Sequence, residues 1–176
     1  AVAQAGDRLV QPFVPGQSGR LTCVGSEDHY PNQDAVAWFC HEVIPHLRKR
    51  HFSFTLQVIG KWRGECINRL QSEYPELKLA GYVEDLGSFL KGSVAVVPIR
   101  IGSGMRMKIL DAVLSKVPFV TTAKGVEGID FKDGEDCLIV DDPAGFAEAV
   151  IALSSNPQMQ RQLVTHAEDC LRQVYN

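Results

Sequence analysis

Val94-Ala-Val-Val-Pro-Ile-Arg-Ile-Gly-Ser-Gly-Met-Arg-Met-Lys-Ile-Leu-Asp111 reads as an apolar strand, a small-residue turn and a helix in direct succession. The run 94–97 is apolar without alternation, the pattern of a strand buried on both faces. Gly102, Ser103 and Gly104 make the turn, and a helix is expected over 105–115. The first turn of a helix presents unpaired N–H groups and a partial positive charge. Glycines let an anion approach that backbone closely. Gly102, Ser103, Gly104, Met105 and Arg106 therefore form a candidate phosphate cradle, with Lys108 adding a second full charge. Asp111, one turn further on, is placed to accept hydrogen bonds from hydroxyls. Phosphate beside a polyol describes the ribose–diphosphate part of a nucleotide. The plainer reading is a capped helix, with Ser103 as cap and Lys108 paired to Asp111 at i, i+3. Two features favour the anion: cations at a helix start oppose its dipole, and Lys108 and Asp111 share a flank outside the apolar stripe.

Outward from that block the chain alternates strand and helix. Strands are expected over 21–24, 54–59, 77–80, 94–97, 119–121 and 137–140. Between the first two, Ala35, Phe39, Val43 and Leu47 recur every four residues, a helix face directed at a core, with Pro45 expected to kink it near His41. Ile67, Leu70 and Tyr74 outline a short second helix, and 86–90 supply one or two further turns. The helix over 105–115 should bury Ile109, Leu110, Val113 and Leu114. Pro143 suits the first position of a helix through 153, and a last helix from Pro157 carries Leu163, Ala167, Cys170 and Leu171 on one side. This alternation implies an α/β fold with a doubly wound parallel sheet, Rossmann-like. Ligands bind such sheets beyond the carboxyl ends of the strands.

Several small-residue turns should share that edge. Gly25 and Ser26 follow the first strand, Gly60 and Lys61 the second, and Gly81-Tyr82-Val83 the third. Each admits ordinary turn chemistry. As cleft elements, Gly25, Ser26 and Gly60 would line the ligand site with backbone. Lys61, within Lys61-Trp62-Arg63, would add a cation or stand solvated. Tyr82 and Val83 would pack a base or simply pack on the next helix. Thr121 to Gly128 reads as a polar surface loop. Asp141-Asp142 reads as a helix cap before Pro143 rather than a metal pair.

The 176 residues, 45% apolar and 22% charged, suit one soluble globular domain. Residues 1–19, with Pro12, Pro15, Gly16 and Gly19, read as a linker or edge segment, and residues 20–176 as the domain. A net charge of −3 disfavours nucleic acid or an acidic membrane as partner. No run of about 18 apolar residues exists, so no transmembrane helix is expected. The start lacks a cationic leader and an initiator Met, so the chain reads as a piece of a longer protein. Cys23, Cys40, Cys66, Cys137 and Cys170 have no C-x-x-C spacing and are expected to be buried reduced thiols of a cytoplasmic protein. The five histidines show no metal spacing, and no metal or cofactor is expected.

Taken together, these motifs resemble the C-terminal, donor-binding half of a GT-B glycosyltransferase of family 4 (group 1) type. The likeness runs through Val24-Gly-Ser26 with Pro31-Asn32, Val58-Ile-Gly60, Gly81-Tyr-Val83, the block from Pro98 to Ala112, Pro118 to Thr122, Gly125-Val-Glu-Gly128 and Asp141-Asp-Pro143. It implies a nucleotide-sugar donor whose diphosphate rests on Gly104, Met105 and Arg106, with Lys108 in electrostatic support and Asp111 on the ribose. It implies glycosyl transfer to an acceptor hydroxyl, in exopolysaccharide or surface-glycan synthesis, without an essential metal. It also implies an N-terminal domain of the same chain that holds the acceptor and leaves room for peripheral membrane contact. No catalytic residue is then expected within these residues. The family pattern is two glutamates separated by seven residues. Here Ser103 and Asp111 stand in those places, in line with a subgroup that carries a G-x-G-x-R-x-K turn. A non-catalytic nucleotide-binding or interaction module of the same fold is the competing expectation. A flavodoxin-like receiver is disfavoured, because Gly25-Ser26 and Gly60 stand where its acidic cluster belongs.

Overall fold

The computed structural model describes residues 13–15, 19–102 and 106–175, and for residues 106 and 175 the backbone only. Six parallel strands, β1 (Arg20–Val24), β2 (Thr55–Ile59), β3 (Leu77–Gly81), β4 (Val94–Val97), β5 (Phe119–Thr121) and β6 (Leu138–Ile139), form one sheet. Their order is β3-β2-β1-β4-β5-β6, so the winding reverses between β1 and β4. Register at that seam pairs Leu21 with Val94 and Thr22 with Ala95. The expected doubly wound Rossmann-like architecture is what the chain adopts.

Helices α1 (Tyr30–Trp38), α2 (Ile44–Lys49), α3 (Glu65–Glu73) and α6 (Pro143–Ser154) lie on one face. Helices α4 (Leu86–Leu90), α5 (Arg106–Leu114) and α7 (Pro157–Tyr175) lie on the other. The first core gathers Phe39, Val43, Leu47 and Phe146, with Trp38 and Phe39 edge-on to Phe146 at 5.6 and 6.1 Å between ring centroids. Edge-to-face geometry of this kind is favoured by the ring quadrupoles. The second core is built from smaller groups, Ile109, Ala112, Val113, Leu90 and Ala167, under α5.

The differences from expectation are local. Pro45 does not break its helix. Five residues, Phe39–Val43, form a π-helical turn in which the Ile44 N–H donates to the Phe39 carbonyl. Widening the turn accommodates a proline that lacks the N–H for an ordinary i→i−4 bond to His41. Leu110 is only half-buried and Leu114 is 41% exposed, whereas Ala112 is buried. The small Ala112 lets α5 sit close to its neighbours, and this turns the buried stripe away from Leu110 and Leu114. Thr121, Thr122, Gly125 and Val126 are buried, so the segment after β5 is not a surface loop. Thr122 Oγ1 donates to the Ile99 carbonyl and thereby fastens this segment to the one after β4. Three of the five cysteines are buried; Cys66 is exposed and Cys170 intermediate, and all five are free. Burial pushes the Cys40 and Cys137 thiols up to about 12, which keeps them unreactive. The cap before Pro143 is as expected: Asp142 accepts from the Gly145 N–H at 2.7 Å.

Candidate functional site

The carboxyl ends of β1 and β4 flank the reversal point, where two adjacent crossovers leave the sheet on opposite faces and open a crevice. Each element at this crevice arrives for a local reason. β4 is buried along its whole length, so Pro98 and the turn beyond it emerge at a fixed height. Gly102, at φ +100°, stacks on the Pro31 ring of α1, with a Cβ there falling 2.9 Å from Pro31 Cγ. Arg100 makes a bidentate bond to Asp34, at 3.0 and 2.7 Å, and its guanidinium lies 5.7 Å from the Trp38 ring centroid. That fork fixes the strand-to-turn segment against α1. Ser103, Gly104 and Met105 and the Arg106 side chain, the heart of the expected phosphate cradle, lie outside the described residues.

Lys108, on the first turns of α5, is half-buried, and its ammonium donates to the Val24 carbonyl at the end of β1. Desolvation lowers its pKa from the ordinary lysine value, opposed in part by Cys23 and Asp111. Gly25 lies directly above it. A Cβ at Gly25 would fall 2.5 Å from Lys108 Nζ and 2.5 Å from Asn32 Oδ1, so only glycine fits. Gly60 abuts the same backbone: a Cβ there would lie 2.8 Å from the Gly25 carbonyl oxygen. The Gly25 N–H donates to Ile59 O at 2.8 Å, and Trp62 Nε1 donates to Gly25 O at 2.7 Å. Gly25 and Gly60 thus serve a close backbone junction, and Trp62 locks it.

The remaining candidates divide between two grooves. Ser26 and Lys61 face a groove of about 840 Å³ with Glu27, Gln33 and Arg63. Glu27 organises it: its carboxylate accepts from the Arg63 N–H at 3.1 Å and the Gly64 N–H at 2.9 Å, capping the start of α3 from a distant segment. Asp111 lines a second groove, of about 400 Å³, between α4 and α5 with Glu84, Ser88 and Lys91. Tyr82 and Val83 immediately precede Glu84. Tyr82 is 74% exposed, while Val83 is half-buried against the second core. Asp111 and Lys108, neighbours in the expected site, therefore point apart, Lys108 into the crevice and Asp111 into the α4–α5 groove.

Glu27, Asn32, Asp34, Trp62 and Arg100 were not assigned roles by sequence reading. Asn32 sits within a quoted motif, but the partners of the others are 36, 37 and 66 residues away, and no local periodicity marks such pairs. Among the described residues no group of three or more His, Cys, Asp or Glu is arranged to hold a metal ion. No helix among them is long and apolar enough to cross a membrane.

A doubly wound sheet with a lysine-bearing helix closing its reversal point is the architecture of a nucleotide-binding α/β domain. Residues 18–156 match the family described as Glycosyl transferases group 1, and the chain belongs to that family. A curated relative from Klebsiella pneumoniae, described as an uncharacterized 44.6 kDa protein in the cps region, is 24% identical over 153 residues, covering 82% of this chain and 39% of that protein. S. aureus TarM, solved as a point mutant in complex with fondaparinux, alpha-GlcNAc-glycerol and UDP, has a TM-score of 0.77 at 14% identity, over 94% of this chain and 34% of TarM. The C-terminal domain of the group 1 glycosyl transferase LpcC from Francisella tularensis has a TM-score of 0.71 at 17% identity, over 99% of this chain and 92% of that domain. The fold is thus the Rossmann-like unit of GT-B glycosyltransferases, and the chain spans well under half the length of the first two proteins.

Proposed function

We propose that this chain is the donor-binding half of a glycosyltransferase that moves a glycosyl unit from a nucleotide-diphosphate sugar to an acceptor hydroxyl. The observation that carries the reading is the crevice between β1 and β4, with the Lys108 ammonium at its floor and the glycine turn at its mouth. The UDP in TarM, a protein of the same fold, supports a nucleotide donor. In this reading the diphosphate rests on Gly102, Ser103, Gly104, Met105 and Arg106, and the ribose on Asp111 in the α4–α5 groove. Tyr82 and Val83 then flank the base. Ser26 and Lys61, with Gly25 and Gly60 behind them, form the opposite wall. Charge on the departing diphosphate is met by the helix dipole and Arg106, without a metal. A second, N-terminal domain of the parent protein supplies the acceptor site, and any peripheral membrane contact belongs to that domain. The assignment to family 4 and its glycine-rich G-x-G-x-R-x-K subgroup rests on the block from Pro98 to Ala112. The cps-region relative supports a role in exopolysaccharide or surface-glycan assembly, and the free cysteines support a cytoplasmic setting.

Titration of UDP, and of other nucleoside diphosphates in turn, should shift amide resonances between Gly102 and Asp111. Arg106→Ala should weaken the best of them by about 1.5–3 kcal/mol, the range for a charged hydrogen bond. No shift with any nucleotide would remove the binding assignment, and an unchanged affinity would remove Arg106 from the site. Ser103 and Asp111, standing in place of the family's glutamates, favour one competing reading, a nucleotide-binding module without transfer. A full-length parent that binds donor yet leaves the sugar on it would decide for that module.

A further inference from the structure

Lys108 is placed differently from a residue that grips a ligand directly. Its side chain leaves the first turns of α5 and turns inward, to a recess of about 10 Å³ walled by Ala35, Val36, Val96 and Val97. There its ammonium donates to the Val24 carbonyl. The second polar group in the recess is Asn32, 6% exposed. Asn32 Nδ2 donates to Ser26 O at 2.9 Å, which leaves Oδ1 turned towards the recess. That oxygen is buried and has no hydrogen-bond partner among the described residues. Lys108 Nζ and Asn32 Oδ1 converge on the space a Cβ of Gly25 would take. An acceptor and a three-donor ammonium thus stand side by side where three elements meet: β1, α1 and α5.

We infer that Lys108 is a positioning residue, which ties the start of α5 to the carboxyl end of β1 and holds a positive charge beneath the glycine turn without touching the phosphates. The inference rests on the nucleotide-binding reading above and changes the part Lys108 plays in it. A charge at the floor of a low-dielectric crevice acts on an anion at its mouth without contact, because little water intervenes. The groups that face the ammonium are few. β1 brings Cys23 and the Val24 carbonyl, α1 brings neutral Asn32, α5 brings Asp111, and β4 brings only valines. Burial alone disfavours the charged amine, and an anion above it favours that charge. Anion binding and protonation of Lys108 therefore reinforce one another.

Calorimetric titration of UDP, and chemical-shift titration of uridine, into wild type, Lys108→Met and Lys108→Arg tests the assignment. Lys108→Met should weaken UDP about tenfold or more and leave uridine binding unchanged. Lys108→Arg should not restore UDP binding, because the recess has no room for a planar guanidinium. Equal UDP affinity in wild type and Lys108→Met overturns the inference. Full recovery with arginine also overturns it, since that marks an exposed charge in direct contact with phosphate. If the variants do not fold, the ¹³Cε resonance of Lys108 in the wild type gives the answer. Its titration midpoint should lie below those of exposed lysines and rise on addition of UDP. A midpoint among the exposed lysines overturns the inference. A wild type that binds no nucleoside diphosphate sinks the nucleotide reading instead, and a low ¹³Cε midpoint in that protein still supports the tie between α5 and β1.

Discussion

The carboxyl ends of β1 and β3 lie on the same edge of one sheet yet are built in opposite ways. After β1, every backbone group from Val24 to Ser26 that the structure describes as bonded is tied to a distant element. Val24 O takes Lys108, Gly25 N reaches Ile59, Gly25 O takes Trp62, and Ser26 O takes Asn32. After β3, a Cβ on Gly81 would meet nothing within 4 Å, and Tyr82 stands 74% exposed. The contrast matches the two ends of a nucleotide. A diphosphate is recognised by fixed charges and dipoles, which work only if they do not reorganise. A base is recognised largely by stacking and shape, for which one exposed aromatic suffices.

The sharpest way to break this comparison is to add one methyl group at each end. Gly25→Ala should cost about 3 kcal/mol, because the new Cβ meets buried Asn32 and Lys108 at a φ of +153°. Gly81→Ala, also at positive φ (+72°) but in open space, should cost only about 1 kcal/mol. Urea unfolding of both measures the difference, and equal costs would mean the β1 end is no more constrained than the β3 end. Next in size, Trp62→Phe keeps the ring and removes the bond to Gly25 O. A loss of about 1 kcal/mol in the same assay is expected. The smallest effect sits at the far end of β3, where Arg48 bonds Glu76 through two contacts of 2.8 Å. That hydrogen bond holds the Glu76 carboxyl below the ordinary glutamate value. Its contribution is therefore full above about pH 4.5 and is lost as the pH falls through the lower folded value. With Arg48 46% exposed, the loss should be about 0.5 kcal/mol. Glu76→Gln should flatten the acid side of the stability–pH curve by that amount, and an unchanged slope would count the pair as neutral.

The difference between the two ends also explains what sequence reading reaches. β4 and α4 fall where the apolar run 94–97 and the pattern at 86–90 place them, because both are decided by neighbours a few residues away. The turn glycines are legible for the same reason. The ties that hold the site are not, since Lys108 and Val24 are 84 residues apart, Arg100 and Asp34 are 66 apart, and nothing in either local stretch announces the other. Lys108 and Asp111, three apart on one helix, were grouped by spacing. They diverge because α5 is wedged between the crevice and α4, and each neighbour takes one side chain. Leu110 and Leu114 illustrate the same limit, since the rotation of α5 is set by what α4 and α7 leave room for.

The π-helical turn at Phe39–Val43 works as a length gauge. An ordinary helix advances about 100° per residue, and this turn absorbs one residue more than an α-turn would. Downstream of it, Ile44 and Leu47 face the core while Pro45 faces water. Deleting any one residue here would restore regular winding and, in the same step, swing the whole of α2 by about 100°. Pro45 would then turn inward and Leu47 outward. The segment between α1 and α2 should therefore tolerate changes of residue identity far better than changes of residue number, with its length counted out to the single amino acid.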